Sequence, residues 1–358
     1  MGNAKILITG ICGFVGSTIA KWWLKNRKDL IIIGLDNFIR PGSEHNRLEL
    51  KALGADLYHA DIRISSDFES LPGADYLIDA AANPSVLAGI DGTISSRQLV
   101  EHNLYGTINM LEYCKKYQAG FILLSTSRVY SIKPLSSLRV VTVADAYSPV
   151  QDTSITGLSK LGVNEDFSTI APISLYGATK LASETLALEY YNAFNFPVWI
   201  NRCGVLAGGG QFGRADQGIF AYWINSWINK KPLKYIGFDG MGYQVRDCLH
   251  PLDLIPILEL QINNSRNDKK RIQNVSGGIA SACSLKQCSD WCAERYGKHS
   301  VASQSTNRVY DIPWIVLNSS LAEDQWRWSP KITREQIFRE IALHAEKNKN
   351  WLELSAPM

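Results

Sequence analysis

Five short apolar runs, KILIT, LIIIGL, YLIDAAA, GFILLS and VWIN, punctuate residues 5–201. Each is rich in Ile, Val, Leu or Ala and reads as a buried strand. Between them lie longer segments with helical spacing, among them 14–27, 103–117 and 176–194. Strands alternating with helices make βαβ units, and their right-handed crossovers wind helices onto both faces of a parallel sheet. The expected fold class is therefore α/β, a doubly wound parallel sheet of Rossmann type.

The chain is long enough, at 358 residues with 46% hydrophobic, for one large domain or two closely joined ones. After about residue 203 the alternation loosens into a Gly-rich stretch, CGVLAGGGQFGRADQG, followed by mixed short elements and an amphipathic C-terminal helix. This gives a nucleotide-binding domain over 1–202 with a return segment near 248–273. A smaller substrate-binding region is expected from 203–247 and 274–358. There is no internal repeat and no low-complexity linker. The net charge is +3 with no Lys/Arg block, which argues against nucleic acid. No run of eighteen apolar residues suggests a membrane span. The N-terminus lacks signal-peptide features, and Ile6 stands where a myristoylation motif needs Ser or Thr. Seven scattered cysteines form no CxxC pair, so neither a metal site nor a disulfide framework is expected, and the compartment reads as cytoplasmic.

ITGICGFVGS sets Gly10, Gly13 and Gly16 directly after the first strand, with Phe14 and Val15 opening the first helix. Glycines there let the backbone turn sharply and approach a pyrophosphate, and the helix N-terminus offers free N–H groups to it. The spacing is GxxGxxG. Asp36, twenty residues beyond the last glycine, closes the second strand with Asn37 beside it. A carboxylate at this place accepts from a ribose diol and repels a 2′-phosphate, so the expected cofactor is NAD. Asp61 and Ile62 are candidates for the adenine edge, with Asp61 as a plain helix cap the alternative.

SLYGATKLASE, residues 174–184, places Tyr176 and Lys180 one helical turn apart. Such a pair is often only a helix-surface contact. The other reading is a general acid/base. A free tyrosine titrates near 10, too high for a base at neutral pH, and a neighbouring ammonium lowers that value.

Read together, these motifs resemble the extended short-chain dehydrogenase/reductase family over nearly the full chain. TGxxGFxG is present as Thr9 to Gly16, YxxxK as Tyr176 and Lys180, and LLSTSRVY puts Thr126 three residues before the Val-Tyr pair, with Ser125 beside it. Within the family, GFVGS, LDN, STSRVY, LYGATK, QFGRADQG, YQVRDCLHPLD, RVYDIPW and RWSP are similar to the group of CDP-tyvelose (CDP-paratose) 2-epimerases. The resemblance implies Thr126, Tyr176 and Lys180 as catalytic residues, with Lys180 also donating to the nicotinamide ribose. It assigns Ala80, Ala81, Ala82, Asn103, Ser125 and Arg202 to the cofactor and Asn83 to the substrate. It also implies a homodimer or homotetramer paired through 103–117 and 176–194. Three departures stand out: Asp79 where relatives often carry His, Ser131 where the family usually has Gly, and an insertion-like stretch over 131–165.

Arg202, Arg246 and Arg308 are candidates for diphosphate contacts, Arg246 and Arg308 the better placed, because guanidinium groups fork onto phosphate oxygens. Gln211 and Gln217 are candidates for the base or its ribose. His250 and the tryptophans read as core residues. Family dehydratases usually follow the Thr with Asp-Glu, whereas Ser127 and Arg128 follow Thr126 here, so elimination is not expected. The resulting expectation is an NAD-dependent isomerase that inverts C2 of a CDP-deoxyhexose through a keto-sugar. The alternatives are a 4-epimerase or 4-reductase of a UDP-, GDP- or dTDP-sugar and, from another class, a non-catalytic dinucleotide sensor.

Overall fold

A computed structural model describes residues 3–90, 92, 94–150, 154–214, 217–264 and 269–354. The chain divides into two compact units. The first comprises 1–126, 175–202 and 254–273. Its sheet has seven strands: β1 (Ala4–Thr9), β2 (Leu30–Asp36), β3 (Asp56–His59), β4 (Tyr76–Asp79), β5 (Gly120–Thr126), β6 (Val198–Cys203) and β7 (Ile272–Val275). They run in the order β7-β6-β5-β4-β1-β2-β3. The β1–β2, β2–β3, β1–β4 and β4–β5 ladders are parallel. All five apolar runs of the sequence form strands in this sheet.

The strand order reverses between β1 and β4, and a doubly wound sheet binds its ligand beyond the strand ends at such a switch point. The register there is fixed: Thr9, the last residue of β1, lies opposite Asp79, the last of β4. The sheet is buried on both faces. Leu7, Ile33, Leu77, Phe121, Leu123, Val198 and Ile200 pack with Met110, Leu111 and Ala187 from the helices. Three helices matter for the site: α1 (Phe14–Asn26), α2 (Gly106–Tyr117) and α3 (Ser174–Phe194). A π-helical turn, Glu101–Tyr105, leads into α2. Such turns often mark functional positions.

The second unit comprises 127–174, 203–253 and 274–358. Its small sheet joins Val205–Leu206, Val245–Leu249, Ala282–Ser284 and Trp314–Ile315. Helices Ile219–Ile228, Leu285–Tyr296 and Arg334–Lys347 bury a core of Phe220, Trp223, Trp227, Cys283, Cys288, Cys292 and Phe338. All seven cysteines are free and buried.

The unit boundaries differ from the sequence expectation. Residues 127–174, expected with the nucleotide domain, fold with the second unit, which is consequently as large as the first. The reason is backbone pairing: Tyr147 N–H donates to Tyr243 O, and Val163 N–H to Val316 O. The return segment starts at Leu254, because 245–249 is a strand of the second unit. Residues 151–153 of the insertion-like stretch, and Ala215 and Asp216 of the Gly-rich one, lie outside the described residues.

Candidate active site

The glycine loop follows β1. Gly10 has φ +61°, and a Cβ there would lie 2.9 Å from Ala81 Cα, so only glycine fits against the segment after β4. Gly16 packs equally closely: a Cβ would lie 2.5 Å from Gly10 O. Gly13 caps α1 without any side-chain acceptor, and no acidic residue occupies the helix's first turn. The first N–H groups of α1, at Phe14 and Val15, are thus left for an anion, as a pyrophosphate requires. Asp36 ends β2 and is buried; its carboxylate accepts from Cys12 N–H at 2.9 Å and Phe38 N–H at 2.8 Å. Burial raises its pKa, and the backbone donors act in the opposite direction. The glycine loop and the Asp36 carboxylate are therefore one hydrogen-bonded structure, and the donor set fits NAD.

Asn37 donates to Asp61 Oδ2 at 2.9 Å, and Arg63 Nη2 reaches the same oxygen at 2.6 Å. Burial works against the Asp61 charge, but the Arg63 and Asn37 hydrogen bonds prevail and hold its carboxyl well below the usual carboxylate range. Ile62 is buried and fills the space over Gly106. Asn103, in the π turn, spends its amide on structure: Oδ1 accepts from Asn83 N–H at 2.8 Å, while Nδ2 donates to Asn83 O at 3.1 Å and Thr179 Oγ1 at 3.2 Å. It clamps the segment after β4, carrying Ala80, Ala81, Ala82 and Asn83, to α3.

On α3, Tyr176, Lys180 and Glu184 recur every fourth residue and share one stripe. All three are buried, at 7%, 2% and 1% exposure. This excludes the plain surface pair that the Tyr/Lys spacing alone allows. Lys180 Nζ lies 3.7 Å from Asp79 Oδ2. Asp79 Oδ1 accepts from Thr9 Oγ1 at 3.0 Å and Ala81 N–H at 3.2 Å. Burial pushes the Asp79 carboxyl up, opposed by Lys180, Thr9 and Ala81. Ser125 Oγ donates to Glu184 Oε1 at 2.5 Å, which fastens the end of β5, and with it Thr126, to the same stripe.

Arg202, expected at the cofactor or diphosphate, pairs with Glu184. Its Nε lies 3.1 Å from both Glu184 oxygens and its Nη2 donates to Glu184 Oε2 at 2.7 Å. That geometry gives the guanidinium a buried carboxylate partner. Asp79 and Glu184 are the residues that sequence reading missed as site members. Asp79 was visible only as a departure from the family pattern, and Glu184 as the third member of a four-residue spacing.

Of the proposed substrate residues, Asn83 and Thr126 belong to the first unit, and Gln211, Gln217, Arg246 and Arg308 to the second. Arg246 is half-buried; Nη1 donates to Val245 O at 2.7 Å and Nη2 to Ile312 O at 3.0 Å, with Asp311 at 3.5 Å. Burial, reinforced by the nearby Arg128 charge, lowers its pKa to about 10. Arg308 is half-buried in the turn that brings Asp311 to Arg246. Gln211 Nε2 donates to Leu206 O at 2.7 Å, while its Oε1 is a buried acceptor without a partner among the described residues. Gln217 pairs its backbone with Arg214 across the undescribed Ala215 and Asp216. His250 is packed, its Nδ1 accepting from Leu252 N–H at 3.1 Å and its Nε2 lying 2.9 Å from Glu340. Among the described residues no cluster of His, Cys, Asp or Glu could hold a metal, and no helix is long and apolar enough to cross a membrane.

Comparison with known proteins agrees with this geometry. The chain is 28% identical over 347 residues to the CDP-paratose 2-epimerase of Salmonella typhi, covering 92% of this chain and 95% of that one. It is 25% identical to the UDP-glucuronate 4-epimerase of Thermodesulfobacterium geofontis, covering 96% of each. The Bacillus cereus UDP-glucuronic acid 4-epimerase, solved with UDP-glucuronic acid and NAD, superposes with a TM-score of 0.76 at 24% identity, covering 96% of this chain and 99% of that one. The dTDP-glucose 4,6-dehydratase of Bacillus anthracis, solved with NAD, gives 0.72 at 21% identity, covering 99% and 100%. The pattern of the NAD dependent epimerase/dehydratase family matches residues 6–276. The chain therefore belongs to that family and is an NAD-dependent enzyme of the nucleotide-sugar epimerase and dehydratase group.

Proposed function

We propose that this enzyme inverts C2 of a CDP-deoxyhexose of the paratose/tyvelose kind. The observation that carries the reading is the buried Tyr176/Lys180 pair on α3, one residue type of which is a phenol and the other a fully buried ammonium. The similarity to the Salmonella CDP-paratose 2-epimerase over nearly both chains supports the substrate choice.

The residues divide the work as follows. Tyr176 takes the proton of the C2 hydroxyl, with the Lys180 ammonium favouring its phenolate. Thr126, at the end of β5, bridges the substrate hydroxyl and the phenol. Bound NAD supplies an acceptor for the C2 hydride that gives the same hydride back. The substrate passes through a 2-keto sugar, which turns over while Arg246 and Arg308 keep its diphosphate in place. Return of the proton from Tyr176 completes the opposite configuration. Ser127 and Arg128 offer no carboxyl group to expel water, which sets the reading apart from a dehydratase. Gln211 and Gln217 are proposed to contact the base or its ribose, and Asn83 the sugar.

The second reading is a 4-epimerase, supported by the similarity to UDP-glucuronate 4-epimerase over 96% of both chains. Incubation with CDP-, UDP-, GDP- and dTDP-sugars, followed by NMR of the products, separates the two. A C2 epimer formed only from the CDP-sugar is expected. Turnover of UDP-sugars at C4 would favour the second reading.

A further inference from the structure

Lys180 is the most deeply buried cation in the first unit's site, and a buried ammonium is costly unless paired and hydrogen-bonded. On its own helix stand Tyr176 and Glu184, and Glu184 is already taken by Arg202 from β6 and Ser125 from β5. From β4 comes Asp79, whose Oδ2 faces the ammonium at 3.7 Å. From β1 comes Thr9, which holds the other Asp79 oxygen together with Ala81 N–H. Ala81 in turn packs against Gly10. Lys180, Asp79, Thr9, Ala81 and Gly10 thus form a continuous set of contacts from the lysine one helical turn beyond the proposed base to the glycine loop.

We propose that Asp79 is a positioning residue for Lys180: its carboxylate is the buried counter-ion that fixes the lysine ammonium at the end of β4, and through Lys180 it governs cofactor affinity and the proton behaviour of Tyr176. The inference rests on the reading of Tyr176 and Lys180 given above. Oδ1 is spent on Thr9 and Ala81, so the carboxylate cannot rotate away and Oδ2 remains directed at the lysine. A negative charge held there offsets part of the positive potential that the ammonium exerts on the phenol. Neutralising it lets the Tyr176/Lys180 pair give up its first proton at lower pH, whichever of the two groups loses it.

The test is a double-mutant cycle on Asp79→Asn and Lys180→Met, read first as NAD affinity of the cofactor-free protein by calorimetry. Asp79→Asn is expected to weaken NAD about tenfold in the wild-type background and less than twofold when Lys180 is already Met. Equal losses in both backgrounds would overturn the proposal, because the carboxylate would then act independently of the lysine. The acid limb of the kcat/KM pH profile should also move down by about one unit in Asp79→Asn; an unmoved limb counts against the proposal. Thr9→Val, which removes the hydroxyl that holds Asp79, serves if Asp79→Asn does not fold. It should weaken NAD several-fold with Lys180 present and not with Met in its place, and equal effects again overturn the inference. Lys180→Met alone, if it binds NAD and turns over normally, would instead sink the underlying reading of Lys180.

Discussion

Glu184 holds the Arg202 guanidinium through both carboxylate oxygens, two helical turns beyond Tyr176 on α3. Both partners are buried, and Ser125 adds a further hydrogen bond to the same carboxylate. The ion pair therefore ties α3 to β6, and the Ser125 hydrogen bond ties it to β5.

Breaking that pair should be severe. Glu184→Gln leaves a buried guanidinium without its counter-charge and is expected to destabilise the protein by roughly 3–5 kcal/mol. Glu184→Leu combined with Arg202→Met removes both charges and should recover much of the loss. Denaturant unfolding of the three proteins checks this; a single variant as stable as wild type would show that the pair carries no structural load.

Tyr176→Phe should keep the fold and bound NAD but lose about 10²- to 10⁴-fold in kcat, the usual contribution of a general acid/base. Calorimetry for NAD and steady-state turnover are the paired measurements. A fully active Phe variant would place the chemistry elsewhere.

Much of this site was readable in the sequence, and the unread parts share a cause. The glycine loop, Asp36 and the Tyr/Lys pair announce themselves by local spacing, because each works through neighbours on one turn or one helix face. The five apolar runs likewise fix the sheet, since a strand covered on both faces needs continuous Ile, Val and Leu. Asp79 was noticed only as an oddity. Its role depends on the β1–β4 register, which brings Thr9 beside it across seventy residues of chain. The Arg202–Glu184 pair was unread for the same reason: an arginine at a strand end shows no partner until the helix carrying Glu184 is laid over it. Residues 127–174 were assigned by sequence adjacency, whereas long-range strand pairing decides where they fold.

Acid should expose the Asp61–Arg63 pair. The Asp61 carboxyl is held below its ordinary value, so its contribution to stability is complete above the unfolded-state pKa of about 4 and is lost as pH falls toward the folded-state value. Asp61→Asn should therefore flatten the stability profile below about pH 4, relative to wild type, while lowering stability at neutral pH. Parallel profiles for the two proteins would contradict the assignment.

Asp36 should select the cofactor. A 2′-phosphate would meet a buried carboxylate already fixed by Cys12 and Phe38, so NAD is expected to bind at least about tenfold more tightly than NADP. Asp36→Asn should narrow the gap by improving NADP. Equal affinities in the wild-type protein, measured by calorimetry, would remove Asp36 from this role.

The central claim concerns the hydrogen at the inverted carbon. A sugar carbon can be inverted by removing a proton beside a carbonyl and taking one back from solvent, or by removing a hydride and returning it. The proposed substrate has no carbonyl beside C2, and the proposed site combines an NAD fold with the buried Tyr176 phenol. Reaction in heavy water with CDP-paratose, followed by NMR of the product, tests this directly. The account predicts protium at C2 of the epimer. Substantial deuterium at C2 would contradict it, even if the product were the expected epimer.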